Sequence, residues 1–338
     1  MKRREFVFEA DEKGNFFHAA LQRYASLAAA HPQWPQISEE EADGLMTSAL
    51  EPLTKEWAGG PLTEDAMGRQ LGRSYIRTIR RAAWLFTRHA QNSRFTTWGT
   101  EIAFGEEGGL PPVILELHDG RRVALRGKID RIDRWEGDEG VYLRVVDYKS
   151  SRRELNATRL WYGLQLQLML YLQAATQWQE KLNPAGAFYF TISDPLVKAE
   201  EDVKEKAEEL IARELQLKGV VLADAQVVDA MDADIPGLSL GKVFNKDGTV
   251  ASFAQAYSLE EMHALLEHAK KTAADLADAI RQGQIAVSPA AIGESWSACT
   301  WCEYRAVCGL DPALPGAQKR TLIELTRQEL IERLANKE

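Results

Sequence analysis

The stretch VYLRVVDYKSS, residues 141–151, is an apolar strand that ends in an acid and an amine. Because side chains alternate along a strand, Asp147 and Lys149 lie on the same face, which they share with Leu143 and Val145. A carboxylate that continues an apolar face is costly unless it is paired or binds a cation. The stretch therefore predicts a charged site at the point where a buried strand leaves the core.

The strand before it, GKIDRID at residues 127–133, carries two further acids, Asp130 and Asp133. A turn at EGDEG makes the two strands neighbours, so one of these acids can approach Asp147. Two carboxylates with a shell of water are what Mg²⁺ binds, and Lys149 adds a positive charge that can hold a phosphate or orient a water. The residues alone also fit an ordinary Asp–Lys pair at a strand end, and they do not decide between Asp130 and Asp133.

Composition narrows the class of protein. The chain has 338 residues, 45% hydrophobic and 27% charged, which is typical of a globular protein, and its net charge of -9 argues against a general nucleic-acid coating protein. No apolar run reaches the roughly 18 residues of a membrane span, and the start has no signal-peptide core, so we expect a cytoplasmic protein. No GxxxxGK[ST] or GxSxG motif occurs.

Periodicity and turn signals predict the architecture. Helices are expected at residues 14–30, 38–57, 63–92, 158–181, 200–218 and 259–283, and from residue 322. Short strands between residues 100 and 150 are expected to form an antiparallel meander, another strand is expected at 185–193, and residues 219–257 are expected to hold loops and weak strands. This order predicts an α/β (α+β) fold with a mixed central sheet flanked by helices.

Three motifs resemble one family. GKIDRID followed by VVDYKSS resembles the PD-(D/E)XK nuclease superfamily in its RecB-like branch, and Gly127, Ile129 and Asp130 match its G-x-I-D pattern, which favours Asp130 over Asp133. The helix after the strand resembles the Q-x-x-x-Y element of that branch, and GNFFHAALQRY resembles its G-x-x-x-H-x-x-L element. These two elements supply further candidate site residues, which are Gln167, Tyr171 and His18.

The resemblance implies a restriction-endonuclease-like core at residues 99–283, a helical part at 1–98 and a cysteine-containing segment at 284–338. It also implies a Mg²⁺ (or Mn²⁺) site with four protein ligands, which are His18, Asp130, Asp147 and the backbone carbonyl of Tyr148. In the implied mechanism, Lys149 positions or activates the attacking water, Gln167 orients Lys149, and Tyr171 contacts the phosphate.

The three cysteines have the spacing C-x2-C-x5-C, at Cys299, Cys302 and Cys308. This spacing suits zinc or an iron–sulfur cluster, but either needs four ligands. The resemblance to AddB-type helicase–nuclease subunits, which extends to the ending VCGLDPALPGAQKR, implies a [4Fe–4S] cluster whose first cysteine precedes the nuclease domain. We therefore expect an incomplete or absent cluster in this chain, with a structural zinc domain as the alternative.

The same resemblance implies single-strand cleavage during double-strand break processing and recombinational repair. The implied partners are DNA ends and an AddA-like helicase–nuclease subunit, and the fragment alone is expected to be monomeric. Two alternatives stay open: a stand-alone RecB-like or CRISPR-associated exonuclease, and an inactive DNA-binding or scaffold module of the same fold.

Basic residues cluster in spite of the acidic total. Residues 66–94 contain seven arginines and no acid, and Arg69, Arg73, Arg77 and Arg81 recur every fourth residue on one helix face. This stripe could track a phosphate backbone or be an ordinary solvated face. A second basic group with the same candidate role comprises Arg121, Arg122, Arg126, Lys128, Arg131, Arg134, Arg152, Arg153 and Arg159.

Overall fold

The computed structural model describes residues 10–56, 66–197, 204–294, 296–311 and 319–336. The helices in these ranges are α1 Ala10–Ala29, α2 Glu39–Glu56, α3 Ala66–Gln91, α4 Ala157–Trp161, α5 Gln167–Thr176, α6 Lys204–Glu214, α7 Ala225–Met231, α8 Leu259–Arg281, α9 Arg305–Cys308 and α10 Arg327–Asn336. The strands are β1 Thr96–Phe104, β2 Val113–Glu116, β3 Arg122–Leu125, β4 Gly127–Gly137, β5 Gly140–Lys149, β6 Leu182–Thr191, β7 Lys218–Leu222, β8 Ala256–Tyr257, β9 Ala290–Ile292, β10 Trp296–Ser297 and β11 Arg320–Leu322.

A six-stranded sheet in the order β1-β4-β5-β6-β7-β8 forms the centre of the molecule. Strands β1, β4 and β5 are antiparallel neighbours, whereas β5 and β6 run parallel, as do β7 and β8. The predicted mixed sheet is confirmed. The predicted meander is correct for β1, β4 and β5, but β2 and β3 form a separate hairpin.

Helices cover both faces of this sheet, because each face is largely apolar. On one face, aromatic residues from α1 and α3, such as Phe17 and Phe86, pack against Phe188 and Phe190 of β6. On the other face, α5 and α8 pack against Leu143 and Val145 of β5 and neighbouring residues, in a second core cluster. The candidate charged residues at the end of β5 are therefore carried by a strand that is buried on both sides.

Four predicted elements need correction. The helix predicted at 158–181 is two helices, because Gly163 between them has φ +71, a left-handed conformation that ends a helix. Lys218 begins β7 instead of ending a helix, and residues 219–257 also contain α7, which the Asp224 side chain caps by accepting the Val227 N–H at 3.0 Å. Residue 322 ends β11, and the last helix begins at Arg327.

Parts of some predictions lie outside the described residues. These are the ends of the second, third and sixth predicted elements at residues 57, 63–65 and 200–203, and residues 312–318 of the C-terminal ending. Within the described ranges, no helix has the length and apolarity needed to cross a membrane.

Candidate functional site

The candidate site lies where β4 and β5 separate. Their antiparallel pairing extends from Gly137–Gly140 to Arg131–Val146 and stops there. Beyond that pair, the Tyr148 N–H donates to the Asp130 carboxylate, at 2.7 Å from Oδ2, instead of to the neighbouring strand. A side chain thus takes over a main-chain bond, which satisfies the buried amide and opens the end of the sheet.

Asp147 and Lys149 stand on one face of β5 at this open end. Lys149 Nζ lies 2.5 Å from Asp147 Oδ2, and Asp147 is only 1% exposed. Burial and the nearby charge of Asp130 raise the pKa of Asp147 to about 6, although Lys149 and His18 act in the opposite direction. The negative charge of this pocket is therefore only partly compensated by the protein itself.

His18 reaches the same place from α1. Its Nε2 lies 2.8 Å from the Tyr148 carbonyl oxygen, and its Nδ1 lies 3.4 Å from Asp130 Oδ2. A neutral imidazole has one N–H, so one of these contacts faces a lone pair with an oxygen unless a proton or a metal ion is shared. Burial lowers the pKa of His18, but hydrogen bonds and charge from Asp130, helped by Tyr148 and Asp147, raise it overall.

Glu101 is a site residue that sequence reasoning missed. It lies on β1 between the register pairs Thr100–Arg131 and Ile102–Ile129, and so opposite Asp130. Ligand atoms of His18, Glu101 and Asp130 all lie within 4.8 Å of one another. The Glu101 carboxylate also pairs with Lys128 at 2.7 Å. The sequence signal was weak: one acid in a neighbouring strand, with no motif around it.

These residues fit a hard divalent ion. Carboxylate and carbonyl oxygens are the ligands of Mg²⁺ and Mn²⁺, and an imidazole can join them. Two neighbouring ligands of an octahedral Mg²⁺, each at about 2.1 Å, lie about 3 Å apart. The 2.8 Å between His18 Nε2 and the Tyr148 carbonyl oxygen is close to that separation. Asp147 is not among the three residues whose ligand atoms lie within 4.8 Å of one another, and its carboxylate contacts Lys149 instead.

A chain of hydrogen bonds links the first turn of α5 to Lys149. Lys149 Nζ donates to Gln167 Oε1 at 3.4 Å, and Gln167 Nε2 donates to the Tyr171 hydroxyl at 2.9 Å. The Tyr171 ring contacts Phe104 edge-on, with 5.9 Å between ring centroids. The structure therefore brings Gln167 and Tyr171 to the same place as Asp147 and Lys149.

Asp133, the alternative first acid, occupies a different place. It lies in the closed part of the β4–β5 ladder, fully buried, 2.6 Å from Arg131 Nε and 2.8 Å from Arg144 Nε. The two guanidinium groups stack over Phe86 and Phe95, at 4.4 and 4.8 Å from the ring centroids. This carboxylate is fully paired in the core and separate from the site at the open end.

The three cysteines lie in the C-terminal segment, Cys299 and Cys302 after β10 and Cys308 at the end of α9. Cys299 is partly exposed and the other two are exposed, and none of them forms a disulfide. Within the described ranges, they do not form a group that could hold a metal ion. The cluster inferred from the resemblance stays a prediction.

Several arginines predicted to contact DNA are paired with acids. Arg77 Nε lies 2.9 Å from Asp194 Oδ2, and Arg81 bonds the same carboxylate. Arg131 is wrong as a DNA contact, because it is buried in the pair with Asp133. A third case is Arg152, which pairs with two glutamates at 2.9 and 3.3 Å.

Comparisons with known proteins agree with this geometry. The chain is 30% identical over 341 residues to an ATP-dependent helicase/deoxyribonuclease subunit of the AddB type from Alkaliphilus oremlandii, covering 98% of this chain and 30% of the relative. It is 37% identical over 331 residues to the same subunit of Moorella thermoacetica, covering 95% and 29%. These relatives confirm the resemblance to AddB, and the chain spans about 30% of their length. The family model of the PD-(D/E)XK nuclease superfamily matches residues 2–309, and the chain therefore belongs to this superfamily.

Proposed function

We propose that the chain is a metal-dependent deoxyribonuclease domain that cleaves single DNA strands. One observation carries the proposal: ligand atoms of His18, Glu101 and Asp130 gather within 4.8 Å of one another where β4 and β5 separate, next to the Asp147–Lys149 pair. An excess of carboxylates beside one amine is the arrangement expected where a cation and a phosphate meet. The family to which the chain belongs supports the same conclusion.

In this proposal a divalent ion, expected to be Mg²⁺ or Mn²⁺, is held by five groups. They are the side chains of His18, Glu101, Asp130 and Asp147 and the carbonyl of Tyr148. When bound, the ion supplies positive charge against the charge that develops on the phosphate.

The amine of Lys149 acts next to this ion. It lies beside the scissile phosphate and orients the attacking water. Asp147 and Gln167 hold that amine from two sides, at 2.5 and 3.4 Å. Tyr171, held by Gln167, donates its hydroxyl to a phosphate oxygen.

The relatives support a role in a larger assembly. They are named as subunits of an ATP-dependent helicase/deoxyribonuclease, and the 338 residues of this chain contain no GxxxxGK[ST] motif. We therefore propose that the domain acts on DNA ends in break processing and recombinational repair, together with an AddA-like helicase–nuclease subunit that hydrolyses ATP. In such an assembly Cys299, Cys302 and Cys308 would contribute three ligands of a [4Fe–4S] cluster. The cytoplasmic location stays a prediction.

The test is an Asp147→Ala variant assayed on single-stranded DNA with Mg²⁺ or Mn²⁺. We expect cleavage to fall at least about a thousandfold, because the variant loses a metal ligand and the partner of Lys149. Asp138→Ala, in the exposed turn between β4 and β5, is the matched control and should cleave normally. Cleavage by Asp147→Ala at the unaltered rate would contradict the proposal, and thermal melting shows that both variants are folded.

A further inference from the structure

A cavity of about 590 Å³ opens beside the candidate site, on the far side of the loop that follows Lys149. Residues 154–156 of that loop form one wall, strand β7 forms the floor, and residues 240–243 and 253–255 form the opposite wall. Neither the metal ligands nor the Lys149–Gln167 chain uses this cavity. Its position next to the end of the catalytic strand makes it a candidate part of the substrate path.

The register of the sheet connects the cavity to the site. Asp147 of β5 pairs with Tyr189 of β6, and Tyr189 pairs with Lys218 of β7, so the three residues form one row across the sheet. Laterally paired residues point to the same face, and neighbouring strands are about 4.8 Å apart. The Lys218 backbone is therefore about 10 Å from that of Asp147. Lys149 Nζ already lies over the Tyr189 ring, 5.9 Å from its centroid.

The charge of the cavity is positive. Its charged lining residues are Lys218, Lys242 and Glu154, and Glu154 is paired with Arg152 at 2.9 Å. Within the part of the chain that the structure describes, neither Lys218 nor Lys242 takes part in an ion pair. Two uncompensated amines in one cavity, in a chain of net charge -9, favour an anionic ligand.

An aromatic ring completes the cavity. Phe253 is 68% exposed, although the turn that carries it is anchored on both sides. Ala251 N–H donates to the Val243 carbonyl at 2.8 Å, Ala254 N–H donates to the Ala251 carbonyl at 2.9 Å, and all three of these residues are buried. The turn therefore holds the ring at the surface beside the two lysines. A positive groove with an exposed aromatic is the arrangement that binds single-stranded nucleic acid, through phosphate contacts and base stacking.

We propose that this cavity binds the segment of a single DNA strand next to the scissile phosphate. Lys218 and Lys242 contact its phosphates, and Phe253 stacks on a base. The identity of the ligand rests on the proposed function, whereas the cavity, its charge and its ring do not. The strand then crosses the sheet from the metal ligands over β6 to β7, away from the paired arginines of α3.

Binding of a fluorescently labelled oligothymidine to the 338-residue chain, followed by anisotropy in EDTA, tests the proposal without cleavage. We expect Phe253→Ala to weaken binding about tenfold with an unchanged salt dependence, and Phe253→Trp to restore it. Lys218→Ala and Lys242→Ala should each weaken binding and reduce the slope of log K against log salt by about 0.7. Lys246→Ala, an exposed lysine four residues beyond Lys242, is the matched control and should change neither quantity.

The outcomes separate this inference from the proposed function. If the Phe253 and lysine variants bind the oligonucleotide like the unaltered chain while Asp147→Ala abolishes cleavage, the cavity is not a DNA site and the nuclease proposal stands. If the cavity variants lose binding while Asp147→Ala still cleaves, the cavity binds DNA and the assignment of the catalytic centre is wrong. A loss of binding to Lys246→Ala equal to that of Lys242→Ala would overturn the inference, because it would show a diffuse effect of charge.

Discussion

Strands β4 and β5 carry two buried charged clusters a few residues apart, and they differ in how the charge is balanced. In the closed part of the ladder, Asp133 lies between Arg131 and Arg144, at 2.6 and 2.8 Å. At the open end, Asp130 and Asp147 share their surroundings with one lysine and one histidine. The same residue type thus serves the core where its charge is matched and forms a candidate site where it is not.

The pKa values of the two clusters move in opposite directions. At Asp133 burial opposes ionisation, but the charges and hydrogen bonds of Arg131 and Arg144 outweigh it and lower the pKa to about 2. Burial and the same two arginines lower the pKa of the neighbouring His89 to about 3, so this imidazole is neutral. At Asp147 burial and the nearby acid raise the pKa to about 6. Titratable groups pushed apart in this way are typical of active sites, where a cation completes the unbalanced cluster.

The largest expected effect is on activity at the open end. Lys149→Ala should lower the rate of single-strand cleavage by about 10²–10⁴-fold, because the amine that positions water and neutralises charge is lost. Single-turnover cleavage with Mg²⁺ measures it. Lys55→Ala, an exposed lysine paired with Glu51 on α2, is the control. Normal cleavage by Lys149→Ala would mean that the open cluster is as structural as the closed one.

The next effect is on stability in the closed cluster. Asp133→Ala leaves two buried guanidinium groups without an acid, which should lower the free energy of unfolding by about 3–5 kcal/mol. Urea unfolding followed by circular dichroism measures this change. At temperatures where the variant is folded, its cleavage rate should be that of the unaltered chain. A stable Asp133→Ala variant without activity would instead identify Asp133 as the first metal-binding acid.

The sequence could predict what depends on local spacing. The side-by-side placement of Asp147 and Lys149 follows from the period of two along a strand, and that of Gln167 and Tyr171 from four-residue spacing on a helix. The mixed sheet follows from the order of elements. The break between α4 and α5 had a visible signal in Gly163, which has φ +71 and where a Cβ would meet a threonine methyl group of α8 at 2.7 Å.

What depends on distant pairing could not be predicted. Glu101 reaches the site through the register of β1 against β4, which no local pattern encodes. The choice between Asp130 and Asp133 depends on where the β4–β5 ladder ends. The arginines of α3 look like a free basic stripe until Asp194, more than 100 residues away in sequence, pairs with two of them.

A third prediction uses pH to expose the unbalanced charge. The folded pKa of Asp147, about 6, is above its ordinary value of 3.8, so its ionised form destabilises the fold above pH 6. In metal-free buffer at pH 7.5, Asp147→Asn should therefore be more stable than the unaltered chain, by about 3 kcal/mol at most. The difference should shrink between pH 6 and 3.8 and vanish below it, where Asp147 is protonated in both the folded and the unfolded chain.

Urea unfolding at a series of pH values measures this difference, with Asp138→Asn in the exposed turn as the control. Saturating Mg²⁺ should stabilise the unaltered chain more than Asp147→Asn and so reduce or reverse the difference. If Asp147→Asn were instead less stable at pH 7.5 without metal, the Asp147 charge would be balanced as fully as that of Asp133, and the contrast between the clusters would be lost.

The smallest effect concerns how firmly the open cluster is held. The bond from Lys149 Nζ to Gln167 Oε1 is long, at 3.4 Å, so Gln167→Ala should cost about 1 kcal/mol, or about fivefold in kcat, with KM unchanged. Gln173→Ala, an amide further along α5, is the matched control. A loss as large as that of Lys149→Ala would mean that Gln167 and Lys149 act as one unit. No change in kcat would mean that Asp147 alone positions the amine, because the contact with Asp147 is the shorter of the two.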